Sequence, residues 1–484
     1  MTRDKVIKAF KAFKALNALN VNMNRRQFLK GLSGAVVAGA AVAAGCDHPN
    51  AVKAEGYTPG EVPTDKMSMR TDAHGQQVSF LGFGMMRLPV EGGGSLRDNP
   101  DAKLDQEAIN QMVDYAIAHG VNYFDTAPVY LKGMSEEATG IALSRHPREK
   151  WLIATKMSNF RNWSNEASIK MYRESFEKLQ IDYIDYYLLH SFGGVEDGKS
   201  DFEKRFVDNG VLDFLVKERE AGRIRNLGWS FHGTQDEFDK VVALHDKYHW
   251  DFAQIQMNYV DWRYAHEIEP ENVNAEHLYN SLAERDIPIV IMEPLLGGRL
   301  GKLNDHMAAM LKEREPNRSL ASWAFRHLGM YPRILTALSG MNLMEHLQDN
   351  IRSCAPLEPL SEDELALLDR VADEFAHFPA IPCTACQYCM PCPYGLDIPG
   401  IFAHYNKCLI EGNIANEGTV EQREFRRARK AYLTSYDESV ARLRQADHCI
   451  DCGECLTHCP QSIQIPTKMH MIEDYTNKLK DSLV

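Results

Sequence analysis

The sequence predicts a closed (β/α)8 barrel followed by a smaller, mainly helical domain. Three observations carry this. Between about residues 75 and 350, short β-branched runs alternate eight times with stretches of amphipathic helical period. No Gly-rich fingerprint opens a helix after any of the eight runs, which disfavours a doubly wound open sheet. After Pro379 the strand pattern stops, and eight of the eleven cysteines crowd into two short runs.

Taken in order, the strands are expected at Val78–Gly84, Asn122–Asp125, Trp151–Thr155, Ile184–Leu189, Ile224–Gly228, Phe252–Gln256, Pro288–Met292 and Ile334–Leu338. Thr58 to Asp65, with two prolines and a glycine, reads as a linker, and Ser361 to Phe378 as a helix that closes the barrel. Charged, strand-free Asn416 to Arg444 reads as helical. The organisation is therefore 1–46 signal region, 47–74 linker, 75–355 barrel, 356–378 connecting helix and 379–484 cysteine-rich domain. The 484 residues carry a formal charge of −13, with 44% hydrophobic residues. That balance excludes a disordered or fibrous chain and argues against a nucleic-acid partner, which needs clustered positive charge.

The first fifty residues read as a targeting segment. Arg25-Arg26 stands before an uncharged, small-residue run from Gly31 to Gly45, the pattern of a twin-arginine export signal. Fifteen residues are too few for a membrane span, which takes about 20. Ala43-Ala44-Gly45-Cys46 resembles a lipidation site, so Cys46 is expected to anchor the chain to a membrane surface, with cleavage after Ala54 as the alternative. The expected location is periplasmic, or extracytoplasmic at the membrane surface. Met23 is an alternative start.

Catalytic groups in such a barrel sit at the carboxyl ends of the strands. Those ends bring Asp125 and Tyr130, then Lys156, then His190 to one rim. The set suits carbonyl reduction, in which an alkoxide develops and takes a proton. Tyr130 is the candidate donor, but a phenol titrates near 10, so a neighbouring cation is needed. Lys156, held by Asp125, is expected to supply it, and His190 to orient the substrate oxygen. With these four residues the segment resembles the aldo-keto reductase family, whose catalytic tetrad is an Asp, a Tyr five residues on, a Lys and a His. Leu81-Gly82-Phe83-Gly84 and Gly228-Trp229-Ser230 extend the resemblance across about residues 75–350.

The resemblance implies NAD(P)(H) as hydride carrier, and Gly84, Ser230, Gln256, Pro294, Leu295, Gly297, Arg299, Ser339 and Asn350 as cofactor-binding residues. Ser230 and Gln256 would hold the carboxamide, and Gly297-Gly298-Arg299 would receive the pyrophosphate. Four positions depart from the family: Phe231 stands for Asn, Met292 for the stacking aromatic, and Gly340 and His346 for the cations that grip a 2′-phosphate. A preference for NADP is therefore doubtful.

Cys383, Cys386, Cys389 and Cys392 follow C-x2-C-x2-C-x2-C-P, and Cys449, Cys452, Cys455 and Cys459 follow C-x2-C-x2-C-x3-C-P. The second is a [4Fe–4S] run, in which the cysteine before proline commonly ligates the other cube. Zinc ribbons space their cysteine pairs further apart. The region resembles two-cluster ferredoxin domains, which implies two [4Fe–4S] clusters and eight ligating cysteines. One residue fewer in the first run leaves its fourth ligand open, with Cys408 as a spare.

The expected function is that of an exported iron–sulfur oxidoreductase of the aldo-keto reductase type. It interconverts a small carbonyl and an alcohol, with Tyr130 as general acid/base and electrons relayed through the clusters to a redox partner protein. The alternative is an electron-transfer or docking protein whose barrel has lost hydride chemistry.

Overall fold

Eight parallel strands close into a barrel in which each strand pairs with its neighbours in sequence: β1 (Leu81–Gly84), β2 (Tyr123–Asp125), β3 (Leu152–Met157), β4 (Ile184–Phe192), β5 (Ile224–Phe231), β6 (Phe252–Gln256), β7 (Ile289–Met292) and β8 (Ile334–Ser339). This is a computed structural model, and it describes residues 61–93, 96, 102–196, 198–415 and 423–481. The segment read as an export signal, and Cys46, lie outside those residues. Among them, no helix is long and apolar enough to cross a membrane.

The strands are short and buried on both faces, as parallel strands covered by helices must be. Tyr123, Leu152, Ala154, Tyr186, Leu188, Phe252 and Val290 fill the barrel interior. A larger apolar layer, including Phe83, Phe124, Ile153, Leu189 and Trp229, lies between the strands and the surrounding helices.

Two expectations about the strands are refined. The run from Val78 to Gly84 is not one strand. Gln77–Ser79 pairs antiparallel with Met69–Thr71, and the barrel strand begins only at Leu81. That hairpin region closes the amino end of the barrel, where the Tyr186 hydroxyl donates to Asp72 at 2.6 Å. The strands β4 and β5 run beyond Leu189 and Gly228, because their pairing continues through Leu189 with Trp229 to Phe192 with Phe231. Ser230 consequently lies within β5, paired with Gln254, and His190 at a bulge between the Leu189–Trp229 and Phe192–Phe231 pairs.

The connecting helix spans Glu362–Ala376 and starts at a capping box formed by Ser361 and Glu364. Glu364 also takes a two-pronged contact from Arg326 at 2.8 and 2.9 Å. Leu368, Val371 and Phe375 pack against Val260, Leu300 and Trp323 of the barrel.

The remaining domain is helical, as expected, with helices Ile398–Ile410, Arg423–Ser439 and Ile465–Asp481. Their apolar faces meet through Phe402, Tyr432, Tyr436, Ile465 and Ile472. Of the charged stretch 416–444, the described part is the second of these helices and a short 3-10 turn, Arg442–Arg444. The first and third helices start alike: Cys392-Pro393 leads to Ile398-Pro399, and Cys459-Pro460 leads to Ile465-Pro466 at the same spacing. Proline in the first turn is tolerated because that N–H has no intrahelical partner.

Candidate active site and cluster centres

Asp125 ends β2, Lys156 is the penultimate residue of β3, and His190 lies two residues before the end of β4. The three side chains, with Tyr130 in the 3-10 turn after β2, meet at the carboxyl mouth of the barrel and are all buried. The Lys156 ammonium donates to Asp125 Oδ1 at 2.6 Å and to the Thr126 carbonyl at 2.7 Å, and lies 4.8 Å from the Tyr130 ring centroid. Tyr130 stands edge-on to His190, with centroids 5.7 Å apart. Left-handed backbone at Leu131, Lys132, Ser191 and Glu293 clusters at this mouth, the kind of local strain that a well-determined site retains.

Electrostatics differ in one respect from the sequence expectation. Burial holds the Tyr130 hydroxyl well above its ordinary value, and Tyr388 and Asp125 push the same way. Lys156 does not reverse this, because its charge is turned to Asp125 and a carbonyl. Tyr130 is thus a neutral phenol, able to donate a proton. His190 is also neutral: burial, then Lys156 and Arg205, hold it well below the usual imidazole range. Burial also raises the Asp125 carboxyl against the pull of Lys156 and lowers the Lys156 ammonium against the pull of Asp125.

Several residues that the motifs did not mark complete the site. Ser158 Oγ lies 2.5 Å from His190 Nδ1. Buried Arg205 donates to the carbonyls of His190 and Ser191 at 2.7 and 2.6 Å, fixing the backbone that carries the imidazole. Tyr388, between Cys386 and Cys389, brings its hydroxyl to 3.2 Å from His190 Nε2 and faces Tyr130. It reaches in from the other domain. No sequence signal links positions 190 and 388. The buried Ser158 and Arg205 are recognisable only once the strand ends are in place.

The residues assigned to a dinucleotide are distributed as follows. Gly84 ends β1 against the Ser339 carbonyl. Ser230 Oγ accepts from the Ser191 N–H at 2.9 Å, and Asn350 donates to Ser339 Oγ at 2.9 Å. Gln256 exchanges two hydrogen bonds with Gln461, at 2.8 and 3.2 Å, and its Nε2 also reaches Asp261 at 2.7 Å. Pro294 and Leu295 follow β7, and the Leu295 carbonyl accepts from Gly298 and Leu300 in the turn that carries Gly297 and Arg299. Gly297 has φ +67, and a Cβ there would lie 2.5 Å from Thr384 Cα. Arg87 donates to the Thr384 carbonyl at 2.6 Å. Arg299 lies over the Phe375 ring at 4.7 Å, and its Nη1 has no hydrogen-bond partner. Glu293 accepts from the Gly297 N–H. Burial raises its carboxyl, against the pull of Arg87.

The cysteines converge on two cavities. One is lined by Cys383, Cys386, Cys389 and Cys459, the other by Cys392, Cys449, Cys452 and Cys455. Each run therefore gives three thiols to one cavity, and its cysteine before proline to the other. This assigns the fourth position of both sets. Cys408 takes no part: it is buried in the helical core, 3.4 Å from His404 Nε2. Left-handed residues flank the second cysteine of each run, Ala385 and Gln387 around Cys386, Asp451 and Gly453 around Cys452. They bend the loops so that the thiols face inward. Four thiols in each cavity, with no charged side chain in either lining, fit one iron–sulfur cube per cavity. Burial pushes the Cys386 thiol up to about 12 and that of Cys459 to about 11, so a cationic centre is what makes thiolates of them. Ile398 and Ile465 line both cavities, so the two centres are neighbours.

Residues 81–373, more than half of the chain, match the family model described as "Aldo/keto reductase family". The chain belongs to the aldo/keto reductase family. Residues 382–463 match a second model, "4Fe-4S dicluster domain". This aldo/keto reductase is 31% identical over 185 residues to "Probable aldo-keto reductase 1" of Glycine max, covering 37% of this chain and 48% of that protein's length, so the two align over about half of the soybean chain. It is 25% identical over 324 residues to the uncharacterized oxidoreductase YqkF of Bacillus subtilis (strain 168), covering 60% and 92% of the two chains. It is 23% identical over 316 residues to the L-galactose dehydrogenase of Arabidopsis thaliana, covering 60% and 89%. Among solved structures, an aldo-keto reductase of Bacillus halodurans in its holo form aligns with TM-score 0.49 and 21% identity, over 63% of this chain and 96% of that one. One from Klebsiella pneumoniae in complex with NADPH aligns with TM-score 0.46 and 22% identity, over 63% and 96%.

Proposed function

We propose that this oxidoreductase interconverts a small carbonyl compound and its alcohol at the mouth of the barrel, and exchanges electrons through its iron–sulfur domain rather than with a soluble nicotinamide. The observation that carries the reading is the position of Tyr388. The loop that holds Cys386 and Cys389 also places a hydroxyl against Tyr130 and His190, so the first cluster site adjoins the site of proton transfer.

Reduction of the carbonyl consumes two electrons and two protons: the C=O π bond is replaced by a C–H and an O–H bond. Tyr130, a neutral phenol, gives one proton to the substrate oxygen and takes one back in the reverse direction, while the redox partner supplies the two electrons and solvent water the second proton, which forms the C–H bond. Neutral His190, held by Ser158 and by the Arg205-fixed backbone, hydrogen-bonds that oxygen and orients it. Lys156, paired with Asp125, keeps a positive charge 4.8 Å from the phenol ring and favours the phenolate that forms on transfer. Two [4Fe–4S] clusters, when bound, supply single-electron transfer between the barrel and a redox partner.

The same geometry disfavours a dinucleotide. Gln256, expected on the carboxamide, has its amide engaged by Gln461 and Asp261. Thr384 packs on Gly297, where a pyrophosphate would lie. Arg25-Arg26 and the apolar run after it further support export to the periplasmic side with the clusters already built, a location that subcellular fractionation tests.

The test is an anaerobic assay with reduced methyl viologen, a one-electron donor consumed at two equivalents per carbonyl, against NADH and NADPH. Viologen oxidation that depends on the carbonyl and on Tyr130 is the expected result. Turnover with NAD(P)H alone would refute the electron route. Viologen oxidation that Tyr130→Phe leaves unchanged would favour the electron-transfer alternative.

A further inference from the structure

The Tyr388 hydroxyl stands where a substrate oxygen has to be. It contacts His190 Nε2 at 3.2 Å and faces Tyr130, the two groups assigned to the substrate oxygen. Both contacts cannot be shared with a substrate carbonyl, since each group has one proton or lone pair to offer in that direction. Substrate therefore enters by displacing Tyr388. The space it vacates has a definite shape. The Tyr388 ring lies edge-on to His190, with centroids 6.2 Å apart, and 6.4 Å from Phe160, which itself lies 5.1 Å from His190. The carbon that bears the hydroxyl is a member of a six-membered ring.

We propose that Tyr388 is an internal stand-in for the substrate, and that the site takes a compound whose reacting carbon belongs to a six-membered ring, a ring ketone or the matching secondary alcohol. Phe160, Tyr130 and His190 present ring faces and edges to such a compound, whereas an open-chain ketone leaves part of the wall without contact. The inference rests on the roles given above to Tyr130 and His190. It also makes Tyr388 a specificity-determining residue, because its withdrawal sets the cost of admitting a substrate.

The test is isothermal titration of the anaerobic holoprotein with cyclohexanone and with open-chain hexan-2-one. In Tyr388→Ala, cyclohexanone is expected to bind at least tenfold more tightly than in wild type, and more tightly than hexan-2-one. Adding Tyr130→Phe should take back most of that gain, since the ring would be present without its oxygen anchor. Tyr388→Phe keeps the ring in place and should bind like wild type. Equal affinity for the two ketones, a gain insensitive to Tyr130→Phe, or a full gain in Tyr388→Phe would each overturn the proposal. Where Tyr388→Ala does not retain its iron, the KM ratio of the two ketones in the wild-type viologen assay decides, a ratio near one overturning it. Binding needs no turnover, so ring selectivity without turnover indicts the electron route, and turnover without ring selectivity indicts this inference.

Discussion

Tyr388 and His190 are 198 positions apart in the chain, yet the hydroxyl of one lies 3.2 Å from Nε2 of the other. The contact crosses from a cysteine run to a barrel strand, and two further contacts flank it: Arg87 to the Thr384 carbonyl and Gln256 to Gln461. All three ferredoxin-side residues lie within two positions of a cysteine that lines the same cavity, since Thr384 follows Cys383, Tyr388 precedes Cys389 and Gln461 is two residues after Cys459. The cavity nearest the catalytic residues is thus fastened to the barrel by its own ligand loops. The other opens outward, where Cys452 and Ile450 are exposed.

Replacing Tyr130 by Phe removes the proton donor and keeps the ring that packs on His190. Turnover of the carbonyl should fall by about 10²- to 10⁴-fold, the usual contribution of a positioned general acid. Iron content should stay as in wild type, because Tyr130 meets the cysteine loop only at the Tyr388 side chain and faces none of the thiols that line the cavity. Anaerobic rate measurement paired with iron analysis checks both, and a rate within threefold of wild type would remove Tyr130 from the mechanism.

Crossed ligation makes a prediction that differs from run-by-run ligation. Cys452→Ala weakens the cavity formed with Cys392, Cys449 and Cys455. Brief anaerobic alkylation followed by peptide mass spectrometry should then label Cys392 together with Cys449 and Cys455, while Cys459 stays protected with Cys383, Cys386 and Cys389. Labelling of Cys459 in place of Cys392 would show that each run serves its own cube.

The barrel was legible because buried parallel strands leave uninterrupted β-branched runs, and Ile184–Leu189 or Ile334–Leu338 can hardly be anything else. Strand ends were less so. Whether β4 stops at Leu189 or Phe192 depends on its pairing with β5, a property of two segments together. The tetrad was legible for a related reason: its spacing is local to strand ends, and topology alone brings those ends together. Tyr388 had no such mark. It sits at a variable position within a cysteine spacing, and its partner is chosen by how one domain rests on another. The crossed cysteines fall between these cases, since the motif suggests an exchange but only the helix starts at Ile398 and Ile465 show which thiol reaches which cavity.

Lys156 and Asp125 form an ion pair in which both side chains are almost fully buried. Removing one partner of such a pair leaves an unpaired buried charge, at a cost of about 3–5 kcal/mol. Lys156→Met should lower stability by that order in anaerobic urea unfolding, with Asp125→Asn added to it recovering a good part. Activity should not recover in the double variant, since the cation beside Tyr130 is gone. A double variant as unstable as Lys156→Met would show that the lysine acts through packing rather than charge.

Acid sensitivity should have an identifiable contributor outside the catalytic tetrad. His327 is 4% exposed among Tyr259, Trp262 and Tyr331, and burial holds its imidazole down at about 3. The free side chain titrates near 6.5. Between these values the unfolded chain binds a proton that the native chain does not, so stability rises with pH across that window. Its full contribution is present above about pH 6.5 and is lost as pH falls towards 3, with a slope of at most about 1.4 kcal/mol per unit from this residue. His404, held at about 4, acts with the same sign. His327→Phe keeps a ring in the aromatic cluster and removes the titration. Anaerobic urea midpoints at pH 6.5, 5.5 and 4.5 should therefore decline less steeply in the variant, by nearly one proton per molecule in the difference of slopes. Parallel lines for the two proteins would mean that the native state takes up the proton at His327 as readily as the unfolded chain does.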